Sequence, residues 1–254
     1  MSYTYTRNDA RKMEPKAMTA TFTVTINARA LKAAAMCASS EETRYYLKGV
    51  FIETSAAGVT LTATDGHRLV AMNHAAQDTH DASAPAVIVP LHMIDKLKIG
   101  KRAPDYLTLA IDAGVTPAKL TLSFDGLSIT GEAVDGTFPA ARRVAAPAFN
   151  SPDAGKPANF NPAYVAAFGK MCELMTGGKP RAIHIISNGE NPALVDFLDD
   201  LDAGGVEAFG VLMPCLLGES RYAGRSVPAW YDPTPVPAAP VGAPDGDDSA
   251  ADAA

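Results

Sequence analysis

The sequence is short of several things, and each shortage removes a class of protein. Cysteine occurs only three times in 254 residues, as Cys37, Cys172 and Cys215. An odd number, widely spaced and set among Ala, Met and Leu, is the pattern of buried thiols in a reducing compartment. It is not a disulfide framework, and no C-x-x-C metal pair occurs. No apolar run approaches the roughly 18 residues that a membrane-crossing helix needs. The first twenty residues, MSYTYTRNDARKMEPKAMTA, are polar and lack the apolar core of a secretory signal; they read as a flexible lead-in. A cytoplasmic protein with no membrane partner is expected.

Chemistry-bearing motifs are equally scarce. There is no G-x-x-x-x-G-K-[ST] phosphate loop, no G-x-G-x-x-G opening a helix, and no H-E-x-x-H. TGGKPR (176–181) follows a helical stretch instead of preceding one, so it reads as a helix stop with a solvated basic turn. His67, His74, His80, His92 and His184 make no metal-ligand spacing. No cofactor, metal or catalytic constellation is expected.

Net charge is −6, but its placement is uneven. From Trp230 onward the chain is rich in Pro, Ala and Gly and holds five Asp with no Lys or Arg; without them 23 acidic residues face 22 basic ones. The acidity belongs to a disordered tail over 221–254, and the body is near neutral. Near neutrality leaves a DNA partner open, because the position of the bases decides that binding.

What the sequence does contain is repetition. TFTVTINARALKAAAMCAS (21–39), AVIVPLHMIDKLKI (86–99) and ANFNPAYVAAFGKMCELM (158–175) each run from a short strand-like start into a helical pattern. Asn27, Pro90 and the Asn161-Pro162 pair mark the changes: Asn accepts an orphan N–H at a helix start, and Pro in the first turn has none to lose. Strand patterns follow each start. They are expected at 50–53, 59–64 and 68–72, at 106–111, 119–124 and 127–130, and at 182–187, 194–198 and 206–213. Asp125-Gly126 sits at a hairpin turn. The fold class is therefore α+β: repeated strand–helix–strands units with antiparallel sheets outside and helices on one face. The stretch 136–157, with four Pro and no strong period, reads as a linker.

TATDGHRLVAM (62–72) concentrates Asp65, Gly66, His67 and Arg68 between two apolar-alternating runs. Asp-Gly between strands is first of all a turn, and His67 lacks the orienting partner and nucleophile that a general base requires. The segment is read as a tight turn that aims a binding surface. Bases gather at Lys32, at Lys96, Lys98, Lys101 and Arg102, and at Lys170, Lys179 and Arg181. They are either solvated helix faces or a sparse strip that meets a DNA backbone without reading bases. Arg44, Tyr45 and Tyr46 follow the first helix, as packing or as the flank of a groove.

TRYYLKGVFIE, TATDGHRLVAM, AVIVP, AVDGTFPAARRV and VLMP together resemble the bacterial DNA polymerase III beta subunit, the sliding clamp. The likeness runs from about Thr21 to Arg143 for that family's middle domain and from about Asn159 to Leu217 for the second half of its C-terminal domain. It implies the DNA-clamp fold, with two units in 21–135 and a half domain in 158–220. It also implies a non-enzymatic, homo-oligomeric processivity factor, of a phage or mobile element, that encircles duplex DNA without sequence preference. Its further partners are a DNA polymerase, other proteins with clamp-binding peptides, and a clamp loader. By position, the resemblance assigns a peptide pocket to Thr64, Gly66, His67, Arg68 and Leu69, to Pro139, Arg143 and Val144, and to Val211, Met213, Pro214 and Cys215. Lys32, Arg44, Tyr45, Tyr46, Lys96, Lys98, Lys101 and Arg102 are expected to face DNA, with Arg44, Tyr46 and Leu47 on the pocket's rim or along the DNA-facing edge.

The departures are specific. The family's FPDYRRV reads FPAARRV here, so its aromatic is Ala141. Cys215-Leu216 replaces a Met-Arg, and Leu91-His92 stands where a basic pair is common. Six units build a chain of the family and three are found here, so four copies would restore a ring's count. A lone third unit needs a neighbour to cover its sheet. The second reading is a clamp-like module, or decoy, that binds clamp-interaction peptides without encircling DNA.

Overall fold

The computed structural model describes residues 21–77, 81–100, 105–178, 182–197 and 205–215. Lys101, Arg102, Lys179 and Arg181 lie outside them. The first block contains β1 (Thr21–Asn27), α1 (Ala28–Ala34), β2 (Gly49–Ser55), β3 (Gly58–Thr64) and β4 (Arg68–Ala75). The second contains β5 (Val87–Pro90), α2 (Leu91–Ile94), β6 (Tyr106–Asp112), β7 (Lys119–Phe124) and β8 (Leu127–Glu132). After α3 (Ala141–Phe149), the third contains α4 (Pro162–Thr176), β9 (His184–Asn188), β10 (Asn191–Asp196) and β11 (Val206–Leu212).

Local chemistry sets the boundaries. Asn27 caps α1 by accepting the Ala30 N–H at 3.0 Å, and Asn161 caps α4 by accepting the Ala163 N–H at 2.9 Å, with Pro162 at the first helical position. Gly177 ends α4 in a left-handed conformation. Asp125 and Gly126, with φ of 48° and 75°, form the two-residue turn between β7 and β8. Three sequence expectations change. Pro90 precedes α2 instead of opening it, and α2 stops after four residues, so Lys96 and Lys98 follow the helix. No strand leads into α4. The stretch read as a linker carries the nine-residue α3.

The strands form two antiparallel sheets, ordered β1-β6-β7-β8 and β5-β2-β3-β4-β11-β10-β9. The first two blocks exchange their leading strands: β1 pairs with β6, and β5 pairs with β2. The third block does not stand alone, because β11 pairs with β4 from Val206 opposite His74 to Leu212 opposite Arg68. That ladder brings the end of the described chain beside the turn at Asp65, about 145 positions earlier in the sequence. One core runs beneath both sheets. Val24, Ile26, Leu31, Val50, Leu61, Val70 and Met72 are fully or almost fully buried in it together with Phe168, Met171 and Cys172 of α4. Burying a side chain of this size contributes roughly 1.5–3 kcal/mol. Gly210 of β11 lets α4 approach closely, since a Cβ there would lie 2.6 Å from the Phe168 ring.

Candidate functional site

The loop between β3 and β4 is held by its own side chains. Asp65 Oδ1 accepts the backbone N–H groups of His67 (2.9 Å) and Arg68 (3.0 Å), and its Oδ2 accepts Arg68 Nε–H at 3.0 Å. The Thr64 hydroxyl donates to the Arg68 carbonyl at 2.7 Å and accepts the Gly66 N–H at 3.1 Å. Such Asx-type bonding fixes the backbone without help from a sheet. Gly66 has a φ of 89°, and a Cβ there would stand 2.8 Å from Arg44 Nη1. The positive φ favours glycine there, and a side chain would also displace the Arg44 guanidinium.

Two outside elements complete this turn. The Met213 N–H donates to the His67 carbonyl at 2.8 Å, which ties the chain leaving β11 to the loop. Tyr164, in the first turn of α4, stacks on His67 with ring centroids 5.9 Å apart, and Arg68 Cζ lies 4.9 Å from the Tyr164 ring. Arg68 is therefore engaged on both sides, by the Asp65 carboxylate and by an aromatic face. Among the described residues no carboxylate forms an ion pair with His67, whose ring stacks on Tyr164.

Above the turn, a small apolar cavity of about 140 Å³ opens to solvent. Thr64, Gly66, His67, Arg68 and Leu69 form one wall, Val211 and Met213 a second, and Leu47 a third. Phe138, Pro139, Ala141 and Val144 close it from the segment that enters α3. Ala145 and Ala148 pin α3 to the sheet by burial against Leu69 and Val211. Phe138 stacks on Phe51 at 4.8 Å and packs with Leu47 and Ile88. Val144 and Met213 stay 44% and 38% exposed, so apolar surface at the cavity mouth is open to a ligand.

The site residues expected from sequence distribute unevenly. Arg143 is exposed on α3 and does not line the cavity; neither do Pro214 and Cys215. The Cys215 N–H donates to the Asn159 carbonyl at 2.7 Å, and its thiol is exposed, unlike those of Cys37 and Cys172, so the expectation of three buried thiols is corrected for Cys215. Burial pushes the Cys37 thiol well above its ordinary pKa, with the Arg68 charge opposing in part. Phe138 and Tyr164 escaped the sequence reading. Their signals were a Phe beside Pro139 and an aromatic one turn into a Pro-initiated helix.

Among the residues expected to face DNA, Lys32 is already committed: its ammonium donates to the Ile94 carbonyl at 3.1 Å and lies 3.5 Å from Asp95. Arg44 donates to the Asp65 carbonyl at 3.0 Å and pairs with Glu41 at 3.3 Å. Tyr45 is 55% exposed and meets Tyr46 edge to face. Lys96 and Lys98 are exposed and border a separate hollow along β8. Among the described residues no group of His, Cys, Asp and Glu is placed to hold a metal ion, and no helix is long and apolar enough to cross a membrane.

Comparison with known proteins gives a consistent result. Residues 23–140 match the family described as DNA polymerase III beta subunit, central domain. A curated beta sliding clamp from Caulobacter vibrioides is 34% identical over 110 residues, which is 42% of this chain and 28% of the relative. The aligned part thus spans well under half of that relative's length. The sliding clamp structure from Caulobacter crescentus superposes with a TM-score of 0.56 and 21% identity, covering 82% of this chain and 69% of that one. The beta subunit from Pseudomonas aeruginosa superposes with a TM-score of 0.55 and 20% identity, covering 83% and 70%. The chain has the sliding-clamp fold, and its segment 23–140 is related to the central domain of the DNA polymerase III beta subunit.

Proposed function

We propose that this protein is a sliding-clamp-type processivity factor, a non-catalytic accessory protein that holds a polymerase or another replication or repair protein on duplex DNA by binding a short peptide of it. The observation that carries this reading is the cavity at the β3–β4 turn. Segments far apart in sequence, at 64–69, 138–144 and 211–213, supply an apolar hollow framed by a fixed turn. An extended peptide with an apolar anchor needs a concave apolar site plus a few preset polar groups, and this hollow has both. Methionine at its mouth adapts to differing anchors.

The expected outcome is that Met213→Ala weakens a clamp-motif peptide by about 1–2 kcal/mol, as truncation of a contact residue typically does, with the melting temperature unchanged. Arg143→Ala, outside the cavity wall, has a smaller effect that declines with salt. Isothermal titration measures both. Unchanged affinity in Met213→Ala removes the pocket from the function.

A decoy that binds clamp-interaction peptides without encircling DNA is favoured by one specific observation. Lys32 and Arg44 bond internal partners, so among the described residues of the expected DNA-facing set only Lys96 and Lys98 are bases without an ion pair. Light scattering with retention on circular against linear DNA separates the two. A topological clamp assembles and leaves only through free ends; a decoy stays small and is not retained.

A further inference from the structure

We infer that the peptide site is bipartite, and that its second half is an acidic groove on the outer face of the seven-stranded sheet that selects partners with basic residues three to five positions from the apolar anchor. The inference rests on the peptide-pocket reading above and adds to it a charge requirement.

A hollow of about 690 Å³ lies on the other side of the entrance to α3, and Leu69 and Ala141 line both it and the 140 Å³ cavity. Residue 141, which borders both spaces, carries only a methyl group; a large ring there would narrow the way from one to the other. The groove's polar floor follows the sheet register. Glu53 pairs with Thr60, Thr60 with Asn73, and Asn73 with Glu207, so four side chains from adjacent strands form one row on the outer face. Asn73 Nδ2 donates to Thr60 Oγ1 at 3.0 Å, which leaves the carboxylates at the two ends of the row. Among the described residues neither Glu53 nor Glu207 has an ion-pair partner. Asp196 of β10 and Arg142 of α3 also line the groove, so the proposal's charge rests on Glu53 and Glu207.

An aromatic surface points to the same ligand class. Phe149, at the end of α3, is 51% exposed and meets Phe209 edge to face at 4.9 Å, both rings lining the groove. Carboxylates beside an open aromatic face bind the ammonium or guanidinium of Lys or Arg through charge, and their aliphatic stems through contact with the ring. The same carboxylates repel a nucleic-acid backbone, so the occupant is a peptide and not DNA. Leu69, in the pocket floor, and Asn73, in the acidic row, are four residues apart on β4, roughly 13 Å at the rise of a strand. An extended peptide covers that distance in about four residues.

The test uses the full chain and three labelled peptides with the same leucine–phenylalanine anchor. One carries a four-residue Gly/Ser extension, one the same extension with two Lys, and one with two Glu. At low ionic strength the basic peptide is expected to bind about three- to tenfold more tightly than the neutral one, and the acidic peptide more weakly. The Glu53→Gln, Glu207→Gln double variant keeps the neutral peptide's affinity and loses the basic preference, and Glu207→Lys shifts preference toward the acidic extension. Equal affinity for all three peptides, or a basic preference that survives the double variant, overturns the groove while leaving the pocket intact. Binding by none of the three overturns both.

Discussion

The two faces of the seven-stranded sheet are made by the same strands and follow opposite rules. On the inner face, Val50, Ile52, Val59, Leu61, Val70 and Met72 are sealed beneath α1 and α4. On the outer face, Leu69 and Val211 are buried by α3 alone, and the rows beyond them open to solvent through Thr60, Asn73 and Glu207. Alternation at a period of two assigns each residue to one face or the other. The inner half of each strand makes the fold, and the outer half, incompletely covered, makes the proposed site.

This contrast is broken most severely from the inside. Leu61→Ala removes a fully buried side chain of the shared core, and a loss of about 2–5 kcal/mol is expected from lost transfer energy plus the residual cavity. Denaturant unfolding measures it. A loss below about 1 kcal/mol would mean that the inner face is not the close-packed side. Asp65→Ala is intermediate, because it withdraws the acceptor of two backbone N–H groups and the partner of the Arg68 guanidinium in a site where both side chains are about 15% exposed. A destabilisation of about 1–3 kcal/mol is expected, with a larger fall in peptide affinity than in Asp65→Asn, which keeps an acceptor oxygen. Val144→Ser on the outer face changes stability by no more than about 0.5 kcal/mol, since the side chain is already 44% exposed, while still weakening the peptide. A melting shift comparable to that of Leu61→Ala would show that α3 belongs to the core.

The same contrast explains what was legible in the sequence. The Asp65-Gly66 turn and the Asn caps at 27 and 161 are written locally, in side chains that bond to backbone two or three residues away, and the Asp125-Gly126 turn in two residues that adopt positive φ, so they read directly. The pairing of β11 with β4 is not written locally. Either strand is a generic alternating run, and only the closing of a shared core selects its neighbour. The segment 136–157 misleads for a different reason. Its four Pro and its several Ala suggest a linker, yet Pro147 sits inside α3, whose attachment depends on two small residues, Ala145 and Ala148, fitting over Leu69 and Val211. Small buried residues carry little periodic signal. Lys32 shows the converse: its position on a helix face suggested a free base, but Ile94 and Asp95 at the end of α2 claim its charge.

The smallest effect concerns the thiols, and it tests whether the inner and outer surfaces are as different in access as in packing. Cys37 and Cys172 belong to the inner core, whereas Cys215, two residues beyond Met213, is exposed. Thiolate is the reactive form, and burial holds the Cys37 thiol protonated well above its usual range, so it is shielded both sterically and by charge. In the native protein at mildly alkaline pH an aromatic disulfide reagent is expected to label the exposed Cys215 fast, and Cys37 and Cys172 only as fast as the core opens. Leu61→Ala should accelerate the two slow reactions without altering the fast one. Two or three fast thiols in the unaltered protein would place α1 and α4 on a loose surface, and the division between a closed inner face and an open outer face would fail.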